Sequence, residues 1–478
     1  MSRDDWRRPM TDPTSLLPYH LPPRGLPLTA FEEHMLLDDR PSHPMAIITR
    51  FDFTGDPPPS NLEEAFQKTL AAEPLLTARV AARRGRRPRW IEAGRPRLQR
   101  SRTPRITTNT MEWTGSPPRL DPSTGNILHA EVIEHDAGWS LLLAVHHAAC
   151  DGLGIVGFLE RWLLAVEGKR GRWQRPPAAT MAALARRGRV ASSWAGFTSM
   201  LPKLAKGLEG VGEFVKHDVI ELSDAAADPL ANTPSASPAA WQPCVLSVTV
   251  NRDIVAGLES TAQAHSVSVN DLLATALLAT IGGQGLHAET DWIRVGVPVS
   301  LRTKNDHVLP AANRVGMVFL DRQPADRHER MRLAASVRDQ MEIIRSHALG
   351  HIFPLSLEVS RMFPGGLART ATRPKPQCSA VLSNVGRCFR HSPLADADGV
   401  IRVGGSQLTG WWGVPPIRPG TALAVGTHET CGQRTIALHI DRQRFTPEAA
   451  QMLLHAMASE LDTLAALNAS APKPAGVS

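Results

Sequence analysis

The segment from Val145 to Gly154 reads VHHAACDGLG and sits between an apolar run, LLLAV, and a helix-patterned stretch, GIVGFLERWLLAVEG (Gly154 to Gly168). Side chains alternate across a strand, so of two adjacent histidines at a strand end one faces a cleft and its neighbour turns away. A neutral imidazole has a pKa of about 6.5 and accepts a proton near neutrality without a large shift from its surroundings. Asp151 and Gly152 follow at a spacing that suits a tight turn. His147 and His146 are therefore the first candidates for acid–base work. Two other chemistries compete for the same residues. One is a core histidine bonded to backbone. The other is a metal site built from His146, His147 and Asp151, but no H-E-x-x-H pattern or third ligand accompanies them, so no metal is expected.

Positioning these residues requires strands and helices on both sides of a break. MAIITRFDF (Met45 to Phe53) has strand character, and Asn61 to Leu76 reads as an amphipathic helix with Asn61 as its N-cap. Ile127 to His147 reads as two strands joined at Asp136, Ala137 and Gly138. After a Pro-, Ala- and Ser-rich linker the pattern restarts: a strand over Cys244 to Val250, then a helix over Arg252 to His265. Ser268 or Asn270 can cap a second helix, Asp271 to Ile281. Further strands are expected at Trp292 to Arg302, Asn313 to Asp321, Ser379 to Gly386 and Arg434 to Asp441. Long helices are expected at Ala325 to Leu349 and from Thr446 onward. This is an α/β chain in two lobes. The expected divisions are a Pro-rich leader at 1–27, an N-terminal lobe at 28–220, a linker at 221–243, a C-terminal lobe at 244–467 and a tail at 468–478. Trp411 and Trp412 read either as packing at a lobe interface or as lining a channel.

The chain has 478 residues, 42% of them hydrophobic, and a net charge of +7. Its five cysteines are widely spaced with no C-x-x-C pair, which argues against a disulfide framework or a cysteine-built zinc site. The start carries charge but no apolar core, so no secretory signal is expected, and a cytoplasmic location peripheral to the inner membrane at most follows. Charge is uneven: Arg79 to Arg105 holds 11 arginines and one acid, and Gly168 to Leu208 holds nine basic residues and no acid. Either surface suits an anionic partner: a phosphate-bearing co-substrate, an acidic carrier protein or lipid headgroups. Nothing in the pattern points to nucleic acid.

The His-His-x-x-x-Asp-Gly pattern, filled by His146, His147, Asp151 and Gly152, resembles that of the coenzyme A-dependent acyltransferase superfamily. That superfamily includes condensation domains and wax ester synthase/diacylglycerol acyltransferases. LEEAFQKTLAAEPLLTARV, SVNDLLATALLAT, VPVSLR, NRVGMVFL and LSNVG resemble further landmarks of the superfamily, in order, over residues 28 to 466. The resemblance implies two chloramphenicol-acetyltransferase-like lobes with an active-site tunnel between them and His147 at its midpoint. It implies that Asp151 pairs with Arg302 rather than touching substrate, and it offers Asn270, Asp271 and Asn384 as candidates for lining the tunnel. It implies no resident cofactor: acyl-CoA or an acyl carrier protein thioester would be a co-substrate. The expected reaction is acyl transfer to a hydroxyl acceptor such as a long-chain alcohol or a diacylglycerol. The chain departs from the wax ester synthase pattern at Gly125 to Leu128 and at Gly386 to Cys388. The alternatives are a condensation-type enzyme that forms an amide or ester from a carrier-bound donor, and a non-catalytic descendant that binds lipid or a partner. Peripheral membrane contact through residues 168–208 is a further expectation.

Overall fold

The computed structural model describes residues 20–467, apart from residue 84 and the segments 104–109, 112–118, 170–176, 190–201, 203–216, 225–243, 285, 287–290, 305, 307–308, 324–328 and 374. The leader before residue 20, the tail after 467 and most of the expected linker lie outside the described residues.

The strand that delivers the two histidines is β8 (Gly138–His146), buried at every position after Gly138. A strand covered on both faces reads as a continuous apolar run, which is why LLLAV shows no alternation. It pairs antiparallel with β2 (Ala46–Thr54) and with β7 (Leu128–His135). The turn between β7 and β8 needs Gly138, whose φ is +142° and whose Cβ would lie 2.1 Å from the Phe53 carbonyl oxygen. Phe53 stacks on Trp139 with ring centroids 4.1 Å apart. Helices α1 (Ala30–Asp38), α2 (Leu62–Leu70) and α3 (Gly152–Val166) contribute Met35, Phe66, Phe158 and Trp162 to the same core. Asn61 does precede α2 but does not cap it with its side chain; its amide donates to the Val166 carbonyl instead, tying α2 to the end of α3.

Three sheets are present among the described residues. The small one has the order β1 (Leu26–Pro27), β4 (Arg86–Glu92), β3 (Ala78–Arg83). The six-stranded sheet runs β13 (Arg402–Val403), β14 (Ser406–Val414), β2, β8, β7, β5 (Leu98–Arg102). The seven-stranded sheet runs β11 (Val315–Arg322), β10 (Ile293–Ser300), β12 (Ala380–Arg387), β15 (Leu423–Thr430), β16 (Gln433–Ile440), β9 (Cys244–Val250), β6 (Thr110–Met111). The helix Val269–Gly283, with Leu272, Leu273, Leu277, Leu278 and Ile281 buried, and the helix Pro447–Ala466 supply the second core. No single described helix is long and apolar enough to cross a membrane.

The sheets amend the expected lobe boundaries. β14, far along the second half, pairs antiparallel with β2 and completes the N-terminal sheet, while β6, from the first half, pairs with β9 in the C-terminal one. Residues 402–414 therefore belong structurally to the first lobe, since their hydrogen-bonding edge is β2. Trp412, on β14, packs with Ile48 and Leu142 of one sheet and Val245 and Ala437 of the other. Where β14 crosses β15, the strands approach so closely that a Cβ on Gly426 would lie 1.8 Å from the Gly413 carbonyl oxygen. Gly426→Ala is expected to lower stability by about 1–3 kcal/mol through overpacking. Gly94→Ala, where nothing lies within 4 Å of an added Cβ, is expected to change it little. Urea unfolding of the two variants checks the difference.

Candidate active site

β8 ends at His146, and the chain then turns through Ala148 to Cys150 before α3 begins. His146 is buried; its Nδ1 accepts from the Ala148 backbone N–H at 3.2 Å, and its Nε2 faces the Asp39 carboxylate at 3.8 Å. It holds the turn and does not face the cavity. His147 points the other way and is half-buried. Its backbone N–H donates to the Met45 carbonyl at 2.7 Å, and its Nδ1 lies 3.1 Å from the Cys150 carbonyl oxygen. A carbonyl oxygen only accepts, so Nδ1 carries the proton and Nε2 keeps its lone pair. Phe31 of α1 stands edge-on to the ring with centroids 6.5 Å apart. Burial pulls the His147 pKa below its usual value, against smaller opposing contributions from Asp151 and backbone carbonyls, so the ring is neutral at neutral pH.

Asp151 is the N-cap of α3: its carboxylate accepts from the Gly154 backbone N–H at 2.9 Å. It also forms a two-pronged ion pair with Arg302, both contacts at 2.8 Å, and accepts from the Arg314 backbone N–H at 2.8 Å. Burial alone would raise this carboxyl's pKa, but the Arg302 guanidinium and the donated hydrogen bonds outweigh it and hold the pKa below the carboxylate norm. Arg302 follows β10 in the seven-stranded sheet, so the pair joins the two lobes beside His147. Gly152 opens α3 where space is short: an added Cβ would lie 3.1 Å from Val385. Burial pushes the neighbouring Cys150 thiol well above its usual pKa, which leaves it inert as a nucleophile.

A cavity of about 130 Å³ lies between the sheets. Its wall includes His147, Asp151 and Gly152, with Ile47 and Phe51 from β2, Ser300 and Arg302 from the β10 end, Ser383 and Asn384 from β12, Trp411 from β14 and His428 from β15. A second hollow of about 500 Å³ shares Leu153, Val156, Arg302 and Val385 with it and has Lys304, Arg387, Arg390 and His391 in its wall. Asn384 is thus a wall residue. Asn270 and Asp271, also offered for the tunnel wall, are not part of it. The Asp271 carboxylate closes a capping box with Ser268 at the start of the helix Val269–Gly283, and the Asn270 side-chain oxygen accepts from the Asn384 amide at 3.4 Å. A helix start needs its free N–H groups satisfied, and that demand takes Asp271 away from the site. Among the described residues no group of histidine, cysteine and acidic side chains could hold a metal ion.

Two further supports, Asn313 and Glu73, lie inside the landmark segments, but their tasks cannot be read from those segments. The Asn313 side-chain amide donates to the carbonyls of His147 and Ala148 at 2.7 and 2.9 Å, clamping the turn from the other lobe. Buried Glu73 accepts from Arg161 and from the Ala311 backbone N–H, bracing the same approach. One asparagine between alanines and a strand carries no period, and only the folded pairing reveals its task. The basic cluster of residues 168–208 also needs a correction. Arg187 is buried and forms a two-pronged pair with buried Glu32, at 2.6 and 2.7 Å, so it belongs to the core rather than to an anion-binding surface. Most of the remaining cluster, Arg170, Arg172, Arg175, Lys203 and Lys206, lies outside the described residues.

No family model and no curated protein matches this sequence. Solved structures do. The epimerization domain from the third module of tyrocidine synthetase B is 14% identical, with a TM-score of 0.62 over 94% of this chain and 97% of that one. The first condensation domain of the CDA synthetase is 14% identical, with a TM-score of 0.60 over 95% and 97%. The starter condensation domain of rhizomide synthetase, a variant in complex with C8-CoA and Leu-SNAC, is 14% identical, with a TM-score of 0.60 over 94% and 95%. The chain therefore has the two-lobed fold of these condensation and epimerization domains.

Removing Arg302 leaves the Asp151 carboxylate buried and unpaired. Arg302→Met is expected to cost about 3–5 kcal/mol, and the double variant Asp151→Asn, Arg302→Met to recover more than half of that. Equilibrium unfolding of the two variants beside the parent measures both.

Proposed function

We propose that the protein is an acyltransferase that moves an acyl group from a thioester to a hydroxyl acceptor, with His147 as general base. The observation that carries this reading is the placement of His147: its Nδ1 is committed to the Cys150 carbonyl, and its ring forms part of the wall of a cavity between the lobes. Nε2 takes the proton from the acceptor as its oxygen attacks the thioester carbonyl. The tetrahedral oxyanion then collapses, breaks the carbon–sulfur bond and expels the thiolate, which recovers the proton from the imidazolium. Asp151 and Arg302 are positioning residues that hold the turn and the lobes. The donor is acyl-CoA or a carrier-bound thioester, a co-substrate rather than a resident cofactor. Condensation-type amide formation is the second reading, favoured by the fold of the condensation domains matched over nearly the whole chain. A long-chain alcohol or diacylglycerol acceptor rests on the likeness to wax ester synthase/diacylglycerol acyltransferases, from whose pattern the chain departs at Gly125 to Leu128 and Gly386 to Cys388, and no feature of the cavity favours it.

Thiol release from acyl-CoA and acyl-pantetheine donors, with alcohol and amine acceptors and mass analysis of products, tests the reading. His147→Ala is expected to lower the transfer rate by roughly two to four orders of magnitude while leaving the unfolding midpoint nearly unchanged. Transfer by that variant at the parent rate refutes the assignment. The neutral ring is the active form and its pKa is lowered. The rate of kcat/KM is therefore expected to rise with pH through a midpoint below about 6.5, the ordinary histidine value, and to stay level above it. A midpoint above that value contradicts the buried base.

A further inference from the structure

The inner cavity is small, and part of its wall is built not to move. At about 130 Å³ it is close to an apolar cavity of about 150 Å³ that holds one benzene molecule. Trp411 forms part of that wall and is held from three sides: Phe51 stacks on it with centroids 4.9 Å apart, His428 stacks on it at 3.6 Å, and Phe389 meets it edge-on at 5.6 Å. Its Nε1 donates to the Thr49 hydroxyl at 2.8 Å, and that hydroxyl donates to the Trp412 carbonyl at 2.8 Å. Rotating the indole would break this chain of contacts in a closely packed interior that resists displacement of a ring. Burial, with Arg434 adding to it, lowers the His428 pKa to about 3, so this wall carries no charge from pH 5 upward. The larger hollow of about 500 Å³ adjoins the cavity through Leu153, Val156 and Val385 and has cationic side chains in its wall beside the acids Glu160 and Asp306. An extended thioester arm suits that hollow, with its acyl end delivered beside His147.

We propose that Trp411, clamped by Phe51, Phe389 and His428, limits the acyl group seated beside His147 to a compact one of about benzene's size, and that long linear chains are excluded. This rests on the acyl-transfer reading and names its substrate class: short, branched or aromatic acyl thioesters, uncharged at the acyl end. It narrows the expectation of a lipid substrate drawn from the sequence landmarks.

S-alkyl pantetheine thioethers test the size limit without turnover, because pantetheine is the arm shared by coenzyme A and carrier proteins. Calorimetric affinity is expected to rise from S-ethyl to S-butyl and S-benzyl and to fall at least tenfold at S-dodecyl. Trp411→Ala is expected to bring S-dodecyl within about threefold of S-butyl, a difference worth under one kilocalorie. Trp411→Phe, which keeps a ring in the wall and guards against a folding defect, is expected to fall between. A parent protein that binds S-dodecyl as tightly as S-butyl, or a folded Trp411→Ala variant with the parent's preference, overturns the size limit. The two readings fail separately. Turnover of acyl-pantetheine that depends on His147, with no size dependence in thioether binding, removes only the size limit. Graded binding with no turnover of any acyl length removes only the acyl-transfer reading.

Discussion

The ion pair between Asp151 and Arg302 is the interaction on which the arrangement depends. A carboxylate at a helix start and a guanidinium beyond a strand of the other lobe are each unfavourable when buried alone. Together they satisfy one another, and Asp151 spends its remaining acceptor capacity on the Gly154 and Arg314 backbone groups. One side chain thus starts α3, fixes the end of the histidine turn and joins the lobes. Asn313 repeats the logic with neutral groups, holding the carbonyls of His147 and Ala148. The imidazole is aimed by the hydrogen bond from its Nδ1 to the Cys150 carbonyl and by the contacts that hold the backbone of its turn.

Burial decides the state of nearly every ionisable group nearby. It keeps the His147 and His428 rings neutral and the Cys150 thiol protonated, whereas Asp151 stays charged because a cation is fixed against it. The cavity therefore offers the neutral His147 ring among walls without net charge. In the proposed transfer such a base takes the acceptor's proton, and a low local dielectric strengthens each dipole that meets the oxyanion.

Much of this was legible in the chain. The apolar run before His146, the turn at Gly138 and the restart at Cys244 follow from short-range patterning, and each becomes the expected strand or turn. The order of the landmarks led to the two-lobed fold and to Arg302 as a partner for Asp151. What escaped depends on contacts between residues far apart. The pairing of β14 with β2 cannot be read from SQLTGWWGV, because an apolar strand does not name its neighbour. The roles of Asn313 and Glu73 are of the same kind. Arg187 shows the opposite failure: counted with a basic run, it turned out to be a buried partner of Glu32, since composition says nothing about which side of the surface a cation occupies.

The exchange of β14 into the N-terminal sheet bears on how the chain reaches this state. During synthesis β2 and β8 emerge early, yet the outer edge of β2 has no partner until residues 406–414 leave the ribosome. For most of translation that edge presents open backbone groups beside Phe51 and Phe53, the kind of surface that recruits stray strands. Each half thus takes one edge of its sheet from the other, so neither half made alone carries its full complement of strands.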